Sequence, residues 1–156
     1  MPTTLAPGSK APAFSLPRDG SGKVSLADFK GQNLVLYFYP RADTPGCTLE
    51  SKAFSSLSKD FAKAGTAVLG VSADPVRAQD AFKAKHGLAV PLASDETHRM
   101  LEAYGVWGEK SMYGKKFMGI TRTTFLIDRE GRIARIWPKV KVEGHGEEVL
   151  TAAKEL

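Results

Sequence analysis

Cys47 is the only cysteine in a chain of 156 residues, and it follows Pro45-Gly46 in the stretch "YFYPRADTPGCTLES". An apolar run gives way there to a helical pattern, which places the thiol in the first turn of a helix. Several backbone N–H groups lack intrahelical partners at such a position. Those donors and the positive end of the helix dipole favour an anion, so thiolate is favoured over thiol. Pro45 stiffens the junction, and Gly46 lets the backbone approach a small ligand closely. The N–H groups of Gly46 and Cys47 are the candidate backbone donors. Thr44, three residues upstream, can aim a hydroxyl at the sulfur or at whatever the sulfur attacks.

A lone cysteine on the apolar stripe of a helix is more often a small buried hydrophobe. Thr44 and a distant arginine turn that reading toward chemistry. In "GITRTTFLID", Arg122 alternates with Ile120, Thr124 and Leu126 and so shares a face with apolar neighbours. An inward-facing arginine near the start of a buried strand needs an anionic partner. Glu50, three residues after Cys47, can orient that arginine or can equally be an exposed first-turn carboxylate.

The elements that must position these groups follow from pattern. "NLVLYFYP" is a continuous apolar run ended by Pro40, as in a strand buried on both faces. "CTLESKAFSSLSKDFAKAG" reads as one helix, with Cys47, Phe54, Leu57 and Phe61 on one stripe and Gly65 as its stop. "TAVLGVSAD" is a second buried strand. "DPVRAQDAFKAKHG" is a helix with Asp74 as N-cap, Pro75 in the first turn and Gly87 as terminator. A short strand near Val90–Leu92 and a helix around "ETHRMLEAYG" come next. "VWGEKSMYGKKFMG" reads as a mobile Gly-rich flap with Trp107, Tyr113 and Phe117 as packing anchors; contact with a reductant or a bulky hydroperoxide is the second reading of these aromatics. "ITRTTFLIDREGRIARIWP" is a hairpin turning at Arg129-Glu130-Gly131, and "GEEVLTAAKEL" is a closing helix. Upstream, Pro2, Pro7, Pro12 and Pro17 punctuate an extended segment, and "KVSLADFKGQ" is a short strand and a helical turn stopped by Gly31. Tyr39 and Trp137 are assigned to packing. Strands alternating with helices predict an α/β sandwich with a mixed sheet, one domain over residues 1–156.

Composition narrows the function classes. The chain is 42% hydrophobic and 25% charged, as in soluble globular proteins. No apolar run approaches a membrane span and the start lacks a signal-peptide pattern, so a cytoplasmic protein is expected. One unpaired thiol fits a reducing compartment. The net charge of +5 is spread along the chain among acidic residues, which argues against nucleic-acid binding. His86, His98 and His145 are scattered without ligand spacing, so no metal is expected. The flap lacks the ending of a phosphate loop.

Pro40, Thr44 and Cys47 stand in the spacing Pro-x-x-x-Thr-x-x-Cys, and with Arg122 they resemble the peroxiredoxin active site. "CTLE", "GVWGEKSMYGKKFMGITRTTFLIDREGRI" and "GHGEEVL" are similar to the PrxQ, or bacterioferritin-comigratory, branch, and the resemblance covers nearly the whole chain. It implies a thioredoxin-like fold with a central mixed sheet flanked by helices. It further implies a peroxidase acting on hydrogen peroxide and organic hydroperoxides without metal or haem, with Cys47 as the nucleophile oxidised to sulfenic acid. Pro40 would close the pocket, and Arg122, Thr44 and the backbone donors would hold the peroxide. Many PrxQ relatives carry a second, resolving cysteine at the positions held here by Lys52 or Lys83. A chain without one must be recycled by an outside thiol: thioredoxin, glutaredoxin, glutathione, or a transient dimer through Cys47 of an otherwise monomeric protein. Its sulfenic acid is open to overoxidation. The competing reading is a non-catalytic peroxide sensor that relays oxidation from Cys47 to a partner protein. A thioredoxin-type oxidoreductase is disfavoured for want of a Cys-x-x-Cys pair.

Overall fold

Leu16 and Val24 stand opposite each other where Ser15–Pro17 (β1) pairs antiparallel with Lys23–Ser25 (β2). The proline-punctuated segment therefore carries a strand that its sequence did not announce. The computed structural model describes residues 5–156, and Pro2 lies outside them. Two 3-10 turns follow, Asp19–Ser21 and Leu26–Phe29, the second running toward Gly31 as expected. The remaining elements are Asn33–Phe38 (β3), Pro45–Ser56 (α1), Ser58–Lys63 (α2), Thr66–Ser72 (β4), Val76–His86 (α3), Leu92–Ser94 (β5) and Arg99–Ala103 (α4). Then come Trp107–Met112 (β6), Lys115–Ile120 (β7), Thr123–Ile127 (β8), Ile133–Trp137 (β9) and His145–Lys154 (α5).

The central sheet has five strands in the order β5-β4-β3-β8-β9. β3, β4 and β5 run parallel, and β8 and β9 are antiparallel to their neighbours. Because side chains alternate along a strand, β3 feeds two cores. Leu34, Leu36 and Phe38 join Leu69, Val71, Phe125, Leu101 and Tyr104 on one face. Val35, Tyr37 and Tyr39 join Cys47, Phe54, Phe61, Phe82, Leu126 and Val149 on the other. Helices thus cover both faces, and α1 lies over the Tyr37 side with its cysteine pointing inward.

Tyr37 is the hinge of that packing. Its ring stacks on Phe54 at 4.6 Å, and its hydroxyl meets Ser51 Oγ at 2.9 Å, so one side chain grips α1 twice. The strand register sets Tyr37 opposite Gly70 on β4. A Cβ at Gly70 would lie 2.7 Å from the Tyr37 ring, so only glycine leaves the ring room to lie flat over β4. Full burial of an aromatic such as Phe54 contributes about 1.5–3 kcal/mol.

Four local expectations are corrected. The helix read from Cys47 to Gly65 is two helices broken at Leu57, whose backbone leaves helical geometry (φ −95°, ψ 2°) where its side chain turns onto α5 beside Gly146. Asp74 does not cap α3. Pro75 occupies that position, and the Asp74 carboxylate instead accepts from Ala42 N–H and the Ser72 hydroxyl, both at 2.7 Å. The strand expected near Val90–Leu92 lies two residues later, as β5. The Gly-rich flap is a regular antiparallel hairpin, β6–β7, turning at Tyr113-Gly114 with positive φ at both residues. Gly87 ends α3 in the left-handed conformation, and the hairpin β8–β9 forms as read.

Candidate active site

Thr44 is the N-cap residue of α1 and Pro45 its first helical residue. Proline has no N–H, so the orphan donors of the first turn begin at Gly46 and Cys47. Thr44 does not satisfy them, because its hydroxyl donates to the Arg41 carbonyl at 2.8 Å. Among the described residues neither the Gly46 nor the Cys47 N–H has a protein acceptor. Of the two targets expected for the Thr44 hydroxyl, sulfur or what sulfur attacks, sulfur does not receive its proton, which is engaged within the loop. Pro40 lies half-buried just past the end of β3, where the loop to α1 begins.

Cys47 is buried, with 1% of its surface exposed, among Tyr37, Tyr39 and Phe54. Its sulfur nevertheless has a charged partner. Arg122, in the link just before β8, donates from Nη2 to Cys47 Sγ at 3.3 Å and from Nη1 to Glu50 Oε1 at 2.8 Å. One guanidinium thus bridges two residues of α1 that lie three positions apart, on the same side of the helix. Cys47, Arg122, Glu50 and Gly46 are brought together; Thr44 and Pro40 form the loop that enters the site.

Electrostatics explain the bridge. Glu50 is 1% exposed, and its Oε2 has no partner among the described residues. Burial raises the pKa of this carboxyl to about 7, against the opposing pull of Arg122. Burial also works against the charge on Arg122, but Glu50 and the Cys47 sulfur outweigh it, and the guanidinium pKa lies above its usual value. The guanidinium therefore stays charged, and Glu50 is the partner that titrates. Of the two alternatives read from sequence, the exposed carboxylate is excluded: Glu50 is buried and bonded to Arg122.

Three further groups around the site were not read from the sequence. His145, at the start of α5, meets Thr124 Oγ1 at 2.8 Å, and its ring stands edge-on to Phe54 and Trp137. Burial lowers its pKa to about 4, with Glu148 opposing and Arg122 adding to the fall. It is a neutral spacer holding α5 against β8. Tyr37 is kept neutral by burial far above its usual pKa. Asp43, at φ 61°, anchors the loop before α1 to the end of α3 through His86 Nε2 at 2.8 Å and Lys85 Nζ at 2.9 Å. An i, i+4 or strand-face rule finds none of these, because each joins elements distant in sequence.

The sequence model of the AhpC/TSA family matches residues 7–136. The chain belongs to the AhpC/TSA family. Within it, the chain stands among the Bcp/PrxQ peroxiredoxins. It is 51% identical over 143 residues to a putative peroxiredoxin Bcp of Coxiella burnetii, covering 92% of this chain and 95% of that protein. It is 44% identical over 153 residues to peroxiredoxin Bcp of Bacillus subtilis, covering 98% of each. The solved peroxiredoxin Q of Xanthomonas campestris superposes with a TM-score of 0.87 at 46% identity, over 91% of this chain and 90% of its own. A PrxQ mutant of Xylella fastidiosa superposes with a TM-score of 0.93 at 40% identity, over 98% of each. This peroxiredoxin therefore has the thioredoxin-like fold of its relatives and is a thiol-dependent peroxidase, with Cys47 as its only thiol. Among the described residues no helix is long and apolar enough to cross a membrane.

Proposed function

We propose that Cys47 reduces hydrogen peroxide and organic hydroperoxides through a sulfenic acid and is re-reduced by an outside thiol. The observation that carries this reading is the Arg122 guanidinium 3.3 Å from Sγ, bonded on its other side to the buried Glu50 carboxyl group. Alkyl peroxide reduction is the activity named for the Xanthomonas campestris bacterioferritin comigratory protein, which is 45% identical to this chain.

In the oxidation step the thiolate attacks the terminal oxygen of R–O–O–H. An S–O bond forms and the O–O bond breaks. Its electron pair leaves on the RO oxygen, which becomes the alcohol, or water, on protonation. Sulfur loses two electrons. Complete ionisation of a thiol with an ordinary pKa of about 8.5 raises its thiolate at neutral pH only about thirty-fold, or about 2 kcal/mol. Enzymes lower barriers by at least about 8 kcal/mol, so positioning and charge stabilisation must supply the larger share. Arg122 and the free N–H groups of Gly46 and Cys47 suit the peroxide oxygens as donors. The Thr44 hydroxyl, which donates to the Arg41 carbonyl, offers lone pairs to the hydroperoxide O–H. Pro40 bounds the loop that excludes water. Glu50 positions Arg122.

Recycling follows with a thiol R′SH: R′S–S forms at Cys47 as the sulfenic oxygen leaves as water. A second thiol then attacks R′S, releasing Cys47 and a disulfide. Thioredoxin, a glutaredoxin with glutathione, or a second copy through Cys47 supplies the thiol, and excess peroxide drives the sulfenic acid to sulfinic acid. We assign these steps to a monomeric one-domain protein of the cytoplasm, a reducing compartment that suits its single thiol. Mass spectrometry of Cys47 after one equivalent of peroxide tests the reading. One added oxygen, removed by a thiol with repeated turnover, is expected. A stable mixed disulfide to one protein without turnover would instead favour the sensor.

A further inference from the structure

The β6–β7 hairpin leaves the body of the protein with its apolar side chains in solvent. Tyr113 at its tip is 97% exposed, Met118 54% and Phe117 43%. Tyr113 and Phe117 are thus not packing anchors; Trp107 is, stacked on His98 at 3.9 Å. β6 and β7 pair only with each other among the described residues, so both outer edges present unpaired backbone groups. A lone two-stranded hairpin of this kind is marginal in water, and its exposed apolar groups call for a partner. Across the strands Glu109 faces Met118 and Lys110 faces Phe117, so both faces carry apolar surface beside charge. Lys110, Lys115 and Lys116 stand against Glu109 alone, which makes the hairpin cationic. Its base leads directly to the site: Thr121 N–H bonds to the Val106 carbonyl, and the next residue is Arg122, 3.3 Å from Sγ.

We propose that this hairpin docks the protein thiol that recycles Cys47. The partner is an acidic dithiol protein that lays an extended edge along the hairpin and receives Tyr113 and Phe117 in an apolar groove. The proposal rests on the peroxidase cycle above. A lipid surface is disfavoured because unpaired strand edges are costly in hydrocarbon. A second copy is disfavoured because it would bring the same lysines together, on a chain of net charge +5. A small thiol needs no apolar anchor of this size.

The test oxidises wild type, Tyr113→Ser/Phe117→Ser and Lys115→Glu/Lys116→Glu with one equivalent of peroxide, then adds reduced thioredoxin or dithiothreitol. Recycling by thioredoxin should fall roughly tenfold or more in both variants, while recycling by dithiothreitol keeps the wild-type rate. The wild-type thioredoxin rate should also fall with added salt, and less so in the lysine variant. Equal thioredoxin rates in all three proteins would overturn the proposal. So would a wild type that thioredoxin recycles no faster than dithiothreitol, or loss of binding to phosphatidylserine vesicles with the thioredoxin rate intact. Failure of Cys47 to consume the first equivalent of peroxide, seen before any thiol is added, would overturn the peroxidase reading itself. Tyr113→Ser alone, at a side chain almost wholly in solvent, guards against misfolding.

Discussion

Gly46 and Arg122 meet so closely that a Cβ on the glycine would lie 3.1 Å from Nη2. The guanidinium that touches sulfur is seated against bare backbone. Gly46→Ala should therefore separate stability from reactivity, which usually move together. Alanine favours a helix over glycine by about 1 kcal/mol, so thermal stability should hold or rise. The rate of Cys47 oxidation should fall by roughly tenfold as the guanidinium loses its placement. Unchanged oxidation kinetics would mean that the arginine shifts without consequence.

Arg122→Ala should slow oxidation of Cys47 by more than about thirty-fold, the most that thiol ionisation alone can account for. Stopped-flow oxidation with hydrogen peroxide measures it. A smaller loss would reduce the arginine to an aid to ionisation. Arg122→Lys should recover only a fraction of the rate, since an ammonium lacks the planar fork that reaches Glu50 and Cys47 together.

Glu50 and His145 pull the pH dependence of stability in opposite directions. Glu50 keeps its proton to about pH 7 when folded, against an ordinary value of 4.5. Between those values the folded chain binds more protons, so stability falls as pH rises. His145 is depressed to about 4 from 6.5, so the unfolded chain binds more protons and stability falls as pH drops through that window. Glu50→Gln removes only the first effect. From pH 5 to pH 7 the variant should gain on the order of 2 kcal/mol relative to wild type in denaturant unfolding. A difference that stays constant with pH would show that Glu50 titrates as an ordinary carboxylate.

Asp43→Asn should loosen the loop ahead of Cys47. Asparagine tolerates the positive φ of this position and keeps one acceptor, so only the charge and one of the two bonds to His86 and Lys85 are lost. Alkylation of Cys47 by iodoacetamide should quicken several-fold with the melting temperature little changed. An unaltered alkylation rate would show that the loop is held by the Ala42–Asp74 bond alone.

The sequence was legible where period and punctuation agree. β3 and β4 are apolar runs bounded by Pro, Gly or Asp, and the alternation through Thr124 and Leu126 already turned Arg122 toward the core. The Cys47–Arg122 convergence rested on the resemblance to the peroxiredoxin site, with that alternation in support. The break at Leu57 was not legible, because the apolar stripe runs on without interruption and the turn is imposed by α5. The β6–β7 hairpin was hidden because its glycines read as breakers and its side chains alternate without a buried face. Asp74 looked like a cap by position, but two donors from elsewhere in the fold claim its carboxylate.

Lys83 stands on α3 where the PrxQ resemblance would set a second sulfur, and its ammonium is clasped to the Asp19 carboxylate at 2.9 Å. An ammonium so engaged offers no sulfur to close a disulfide within the chain. Each round of peroxide removal then waits on a collision with another molecule, so throughput scales with the supply of reduced partners around the enzyme. When that supply runs out before the oxidant does, the sulfenic acid stays, and further oxidant is spent in driving it past recovery.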